Sequence, residues 1–267
     1  MKEQRFAKEL QIAKRIALET WPLIAPFYDT RIEVKRKKDG SPVTKADKLA
    51  SKLIIEGISK EFPNDSIVSE EDLPILNGGR TWYIDPIDGT KGFIKRNGQF
   101  AIHIGFCVES TPTLGVVYWP VTQDLYYGSI DSGSFRDNPR GKLELKFVDS
   151  NRTNLIASTN GDNPYNDLKP VFEKLRIKEF HNCGSDGLRL MKLAENRADI
   201  RISEYLGTNT WDLCAPQAIL ESMGGYVHYI DGKPIIYKGQ SVLGKRYIST
   251  FSQELMDKAV ELSKHLN

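Results

Sequence analysis

The sequence predicts a layered α/β fold in two parts. Three observations carry this. From Phe100 to Arg136, stretches rich in β-branched and aromatic residues follow one another, with turn signals at Ser110–Pro112 and Pro120–Asp124, so these strands are antiparallel. From Leu155 onward, strand-like and helix-like stretches alternate. Between them Asp137–Arg152 is polar and holds Pro139 and Gly141, which reads as a boundary dividing residues 1–145 from 146–267.

Each element follows from local pattern. Residues 3–20 place Phe6, Leu10, Ile12, Ala13, Ile16 and Ala17 on a helical stripe. Thr30–Lys38 reads as a strand running into a hairpin at Asp39-Gly40. Its basic residues Lys35–Lys38 are a solvated charge run or a loop over an anionic substrate. Ser41–Asp47 leads into a helix with Leu49, Leu53, Ile54 and Ile58 inward. Thr44 caps this helix and Asp47 stands at its third position, the reciprocal capping arrangement, so Asp47 has a structural reading beside any functional one. Ser66–Val68 is a short strand, followed by the acids Glu70, Glu71 and Asp72. Thr81–Ile84 is a strand that stops in a polar turn. Later elements are strands at Phe100–Val108, Thr113–Tyr118, Leu125–Ser129, Gly133–Arg136, Leu155–Ala157, Ile177–Phe180, Ala198–Ile202, Tyr226–Ile230 and Arg246–Thr250. Helices fall at Pro164–Leu175, Gly187–Asn196, Asp212–Met223 (stopped by Gly224-Gly225) and Gln253–His265.

Composition excludes several function classes. Lys and Arg total 37 against 35 Asp and Glu, and the resulting +2 gives no footprint for duplex nucleic acid or an anionic membrane. No apolar run is long enough to span a bilayer, and the N-terminal stretch lacks the apolar core of a signal peptide. The cysteines Cys107, Cys183 and Cys214 are few and far apart, which indicates neither a disulfide framework nor a zinc site. A cytoplasmic location is expected.

The chemistry concentrates in Thr81–Phe93, TWYIDPIDGTKGF. Pro86 fixes its own φ and pushes Asp85 towards an extended conformation, and Gly89 permits a backbone conformation other residues resist. Asp85 and Asp88 are thus held on one tight loop at a strand end, with Thr90 and Lys91 next. Carboxylates, a carbonyl and a hydroxyl are hard oxygen ligands that suit Mg²⁺. Asp212 opens a later helix, where free backbone donors and the helix dipole favour an ionised carboxylate; a plain helix cap is the other reading. Cys214, two residues on, reads as a packing residue.

Four blocks, SPVTKAD (41–47), SEED (69–72), DPIDGT (85–90) and WDLCAPQAILESMGG (211–225), occur in this order and resemble the inositol monophosphatase superfamily over nearly the whole chain. The resemblance implies an αβαβα sandwich of the sugar-phosphatase type and a lithium-sensitive phosphomonoesterase using two or three Mg²⁺ ions. It implies metal ligands at Glu70, Asp85, the Ile87 carbonyl, Asp88 and Asp212. It gives Thr90, with Asp47 behind it and Glu70 beside the metal, the task of orienting and deprotonating the attacking water. The backbone at Gly89 and Thr90 would hold phosphate.

Within that superfamily, DGTKGFIKRNGQFAIHIGF (88–106) and LGVVYWPVTQDLYYG (114–128) are most similar to the 3′(2′),5′-bisphosphate nucleotidases. This implies hydrolysis of the 3′-phosphate of adenosine 3′,5′-bisphosphate, with Lys91 meeting the second phosphate and Ser185, Arg189 and Asp212 on the substrate side. Glu204 departs from that pattern: it repels a 5′-phosphate and resembles a glutamate that inositol monophosphatases turn towards substrate hydroxyls. An inositol or sugar-phosphate phosphatase is therefore the alternative, and a non-catalytic phospho-ligand-binding protein is the alternative of another class. The expected partner is a small phosphorylated substrate, with no nucleic-acid polymer, no stable membrane association, and a monomer or homodimer.

Overall fold

The computed structural model describes residues 5–30, 34–37, 42–149, 152–161, 167–204 and 206–266. The chain opens with α1 (Ala7–Asp29), which buries Ala13, Ile16, Ala17, Thr20 and Ile24. It runs past the expected end near residue 20, through Pro22 and Pro26. A short antiparallel pair follows, β1 (Val34–Arg36) with β2 (Pro42–Thr44). The turn expected at Asp39-Gly40 lies outside the described residues. Then comes α2 (Lys45–Glu61), started by Thr44, whose hydroxyl accepts from the amides of Ala46 and Asp47.

Seven strands form the larger sheet in chain order: β3 (Ser66–Ser69), β4 (Arg80–Asp88), β5 (Ala101–Val108), β6 (Thr111–Trp119), β7 (Asp124–Ser129), β8 (Gly133–Asn138) and β9 (Gly141–Leu145). All neighbours are antiparallel except β3 and β4. A helix, α3 (Thr90–Lys95), lies between β4 and β5. Two features went unpredicted. α3 has only six residues, too short for a periodic signal. β9 has an almost wholly exposed edge pattern and lies inside the polar stretch read as a boundary.

The second sheet has the order β11-β10-β12-β14-β13. Its elements are β10 (Leu155–Thr159), α4 (Lys169–Lys174), β11 (Ile177–Asn182), α5 (Asp186–Ala194), β12 (Ile200–Ile202), α6 (Thr210–Ser222), β13 (Tyr226–Tyr229), β14 (Tyr247–Thr250) and α7 (Gln253–Leu262). β10 runs parallel to β11 and β12, while β14 is antiparallel to β12 and β13. Of the helix expected over Pro164–Leu175, residues 162–166 lie outside the described residues. Pro216 stands in the second turn of α6, which begins two residues before Asp212.

Alternation along the strands builds five layers. On β5, Ile102, Ile104 and Phe106 join α1 and α2 residues in one core, while Ala101 and Cys107 face the other way into a core with Leu188, Leu213 and Cys214 of α5 and α6. That second core also takes Val227 and Tyr247 from the smaller sheet. The far face of the smaller sheet, through Ala157, Ile200, Ile202 and Ile248, packs on Phe172 of α4 and Met256 and Ala259 of α7. The order helix, sheet, helix, sheet, helix is the predicted αβαβα sandwich. Among the described residues no helix is long and apolar enough to cross a membrane.

Candidate active site

The acidic loop is built into the end of β4. That strand does not stop at Ile84 as the sequence suggests; it continues to Asp88. Asp85 pairs with His103 and Asp88 with Ala101, so three steps on β4 face two on β5. Pro86 has no N–H to give the ladder, and the chain bulges there. The Ile87 amide donates to Asp85 Oδ1 at 3.0 Å. Gly89 then takes φ +89°, and a Cβ at that position would lie 2.4 Å from the Gln99 carbonyl oxygen, so both conformation and space demand glycine. Thr90 starts α3, and helix geometry leaves the first amides of that helix without intrahelical acceptors.

Asp47 has both of its expected parts. Its Oδ2 accepts from the Thr44 amide at 2.8 Å and the Thr44 hydroxyl at 2.6 Å, completing the capping box. Its Oδ1 lies 3.3 Å from the Thr90 hydroxyl, which is also 3.3 Å from the Ile87 carbonyl oxygen. Burial pushes the Asp47 carboxyl above the usual range; the Thr44 bonds oppose that shift, and the charge of Glu70 adds to it.

Four carboxylates share the neighbouring space. Burial raises Asp85 well above the usual range, and the negative charges of Glu70, Asp88 and Asp212 raise it further. Asp88 goes the other way. Burial pushes it up, but His103 and Ser185 outweigh burial and hold it below the ordinary value. Its Oδ2 accepts from Ser185 Oγ at 2.5 Å and the Gly187 amide at 2.9 Å. Glu70 pairs with Lys37, Nζ to Oε1 at 2.7 Å.

Asp212 is the third residue of α6, and its Oδ2 accepts from the Asn209 amide at 2.9 Å. The sequence argument credited the helix start with keeping this group ionised. In the folded chain, burial and the negative charges of Asp186, Asp88 and Glu70 outweigh that bond, and Asp212 sits well above the carboxylate range.

The C-terminal residues named from sequence are placed differently from one another. Ser185 caps α5, accepting from the Leu188 amide, and spends its proton on Asp88. Arg189 is 2% exposed and turned inward to Asp186, Asn160 and the Cys183 carbonyl. Glu204 is buried too: its Oε2 pairs with Arg201, and its Oε1 accepts from the Asn160 amide at 2.9 Å. Arg201 also reaches Asp186, to which Tyr247 donates at 2.9 Å. These groups form a buried ionic network. Lys91 is exposed at the start of α3. Sequence reasoning missed His103 and Glu71. The only signal for His103 was one ionisable residue inside the apolar run FAIHIGF.

The donor chemistry fits a divalent cation. Glu70, Asp85, Asp88 and Asp212 offer oxygen alone, and burial together with their mutual repulsion, which raise Asp85 and Asp212, call for positive charge. Lys37 supplies one such charge at Glu70. Among the described residues no three carboxylate, imidazole or thiol groups close on a single point, so the fit is one of donor type and charge.

Comparison with known proteins agrees with this architecture. The model of the inositol monophosphatase family matches residues 5–265. The chain is 31% identical over 253 residues to the 3′(2′),5′-bisphosphate nucleotidase CysQ of Aggregatibacter actinomycetemcomitans, covering 92% of this chain and 93% of that one. It is 31% identical over 242 residues to a histidinol-phosphatase of Chlorobaculum parvum, covering 88% and 91%. Among solved structures, the inositol monophosphatase of Anabaena superposes with a TM-score of 0.80 at 24% identity, covering 98% of this chain and 97% of that one. The Thermotoga maritima enzyme TM1415 also gives 0.80 at 24%, covering 97% and 100%.

Proposed function

This chain belongs to the inositol monophosphatase family and is a phosphatase of that superfamily; from this premise we propose that it is a Mg²⁺-dependent phosphomonoesterase that removes the 3′-phosphate of adenosine 3′,5′-bisphosphate, giving AMP and phosphate. The observation that carries the reaction type is the Thr90 hydroxyl at 3.3 Å from Asp47 Oδ1, beside the carboxylates of Asp85 and Asp88. The relatives that act on bisphosphate nucleotides support the substrate.

Glu70, Asp85, the Ile87 carbonyl, Asp88 and Asp212 would hold Mg²⁺. When bound, the metal neutralises the charge of the phosphate ester and acidifies water. The chain's own residues do the rest. Thr90 accepts a hydrogen bond from the attacking water and donates its own proton towards Asp47. Asp47, whose proton affinity burial has raised, is suited to receive it. The amides of Gly89, Thr90 and Lys91, ahead of the Gly92 and Phe93 amides that bond the Gly89 carbonyl, bind phosphate oxygens. Lys91, exposed beside them, meets the second phosphate. Glu204, engaged by Arg201 and the Asn160 amide, is not spare for substrate hydroxyls, which weighs against the inositol ester.

The test is phosphate release from adenosine 3′,5′-bisphosphate, inositol 1-phosphate and histidinol phosphate, each with Mg²⁺ and with EDTA. The expected result is release that needs Mg²⁺ and favours the nucleotide by about 100-fold or more in kcat/KM, a discrimination of about 3 kcal/mol. Equal rates on all three overturn the substrate, and release undiminished by EDTA overturns the metal. Binding of the nucleotide without turnover makes the chain a phospho-ligand-binding protein.

A further inference from the structure

We propose that His103 is a positioning residue for this reaction: it holds the Asp88 carboxylate with one oxygen fixed on the protein and the other left to a divalent cation. This rests on the metal reading of Asp88 given above. His103 lies on β5, on the face that looks towards α5 and α6, paired across the sheet with Asp85. It is 0% exposed, and its Nε2 is 3.2 Å from Asp88 Oδ2. Neither ring nitrogen has a well-aligned hydrogen-bond partner among the described residues, so the contact with Asp88 is one of proximity and charge. An imidazole buried in this way costs stability unless its polarity is used, and the one polar atom it is aimed at belongs to Asp88.

The three neighbours of Asp88 all meet the same oxygen. Ser185 Oγ, the Gly187 amide and His103 Nε2 converge on Oδ2, while among the described residues no hydrogen bond reaches Oδ1. A carboxylate free to rotate exchanges its oxygens; one with every donor on a single side does not. With its hydrogen on Nε2, the ring presents a positive edge to Oδ2 at 3.2 Å. The backbone is shaped for the ring as well. A Cβ on Gly187 would sit 2.0 Å from His103 Nε2, so the start of α5 is open at the place the imidazole fills. Partners of this kind tune metal ligands without touching the metal.

The experiment is a Mn²⁺ titration of the full-length protein, read from the electron paramagnetic resonance of free Mn²⁺, beside the melting temperature. Wild type is compared with His103→Leu, which keeps bulk without a donor, and His103→Gln, whose amide reaches the place of Nε2. The expected result is a Kd raised about tenfold or more in His103→Leu, the usual scale for lost support of a metal ligand, and restored to within about threefold by His103→Gln. A purely structural role lowers the melting temperature of both variants and leaves Kd alone. Wild-type affinity in folded His103→Leu, or equal weakening in both variants, overturns the proposal. Should His103→Leu not fold, His103→Asn, whose amide stops short of Oδ2, takes its place with the same expectations. A wild-type protein that takes up no Mn²⁺ overturns the metal reading itself, and the role of His103 with it.

Discussion

Lys37 Nζ lies 2.7 Å from Glu70 Oε1 and 2.5 Å from Glu71 Oε1, so an ammonium from the β1–β2 hairpin stands where a cation bound by Glu70 would draw its ligand. Burial alone lowers the proton affinity of Lys37; the two glutamates more than reverse this and raise it above the ordinary lysine range. The pair is therefore held, and a metal at Glu70 would have to displace it. Lys37→Met is expected to tighten Mg²⁺ or Mn²⁺ binding about three- to tenfold, on the scale of a partly exposed ion pair, and to lower the melting temperature of the metal-free protein. Calorimetric titration checks this, and weaker metal binding in the variant contradicts it.

Thr44 and Thr90 bond to the two different oxygens of Asp47, and substitution separates their roles. Thr44→Ala removes the cap of α2 and is expected to cost about 1 kcal/mol of stability. Thr90→Ala is expected to leave stability nearly unchanged while lowering kcat about 100-fold or more, the scale of lost general-base assistance. Urea unfolding and steady-state kinetics on the same preparations give both numbers. Equal kcat losses in the two variants would show that Asp47 acts only through the cap.

Glu204→Ala is a stability variant before it is a specificity variant. Glu204 is 5% exposed and Arg201 0%. Truncating one partner leaves a buried charge without its counterpart, with an expected loss of about 3–5 kcal/mol. A variant with wild-type stability and a switched substrate preference would instead assign Glu204 to the substrate.

Glu221 sets a pH dependence away from the acidic loop. Burial pushes its carboxyl up to about 7, against the bond from Gln217. The folded state therefore binds this proton more tightly than the unfolded one, whose glutamate titrates near 4.5. Stability contributed by the protonated form is lost as pH rises from about 4.5 to about 7, and the penalty is complete above that. Glu221→Gln is expected to stabilise the protein at pH 8 by about 1–2 kcal/mol, allowing for partial exposure, and to change little at pH 5. Glu71, also pushed up to about 7 by burial, leaves a residual slope in the same window. Melting curves from pH 5 to pH 8 decide this, and parallel curves for wild type and variant refute it.

The carboxylates of the acidic loop were legible because the signals that identify them are local. Pro86 restricts the backbone and Gly89 frees it whatever surrounds them, and Thr44 and Asp47 cap a helix three residues apart. The strand alternation that sorts Ile102, Ile104 and Phe106 from Ala101 and Cys107 is equally local, although the layers themselves were indicated by the family resemblance. Local signals failed where elements are short or polar. α3 spans less than two turns, and β9 is an exposed edge strand that reads as loop.

By itself, then, the sequence determined the order of the longer elements and, through its motif blocks, the layered fold, because periodicity, capping and short motifs act within a few residues. Only the tertiary structure decided what each charge faces. Asp212 was expected to be held ionised by its helix start, yet burial, and then three carboxylates from elsewhere in the chain, raise it. Arg189 and Glu204, read as substrate contacts, are committed to the ionic network of Asp186 and Arg201. His103 meets Asp88 only through the register of β4 on β5 and the bulge at Pro86, which the sequence does not show. Coulomb energy and desolvation depend on distance in space, and residues as far apart in sequence as Glu70 and Asp212 reach such distances only once the sheets and helices have packed.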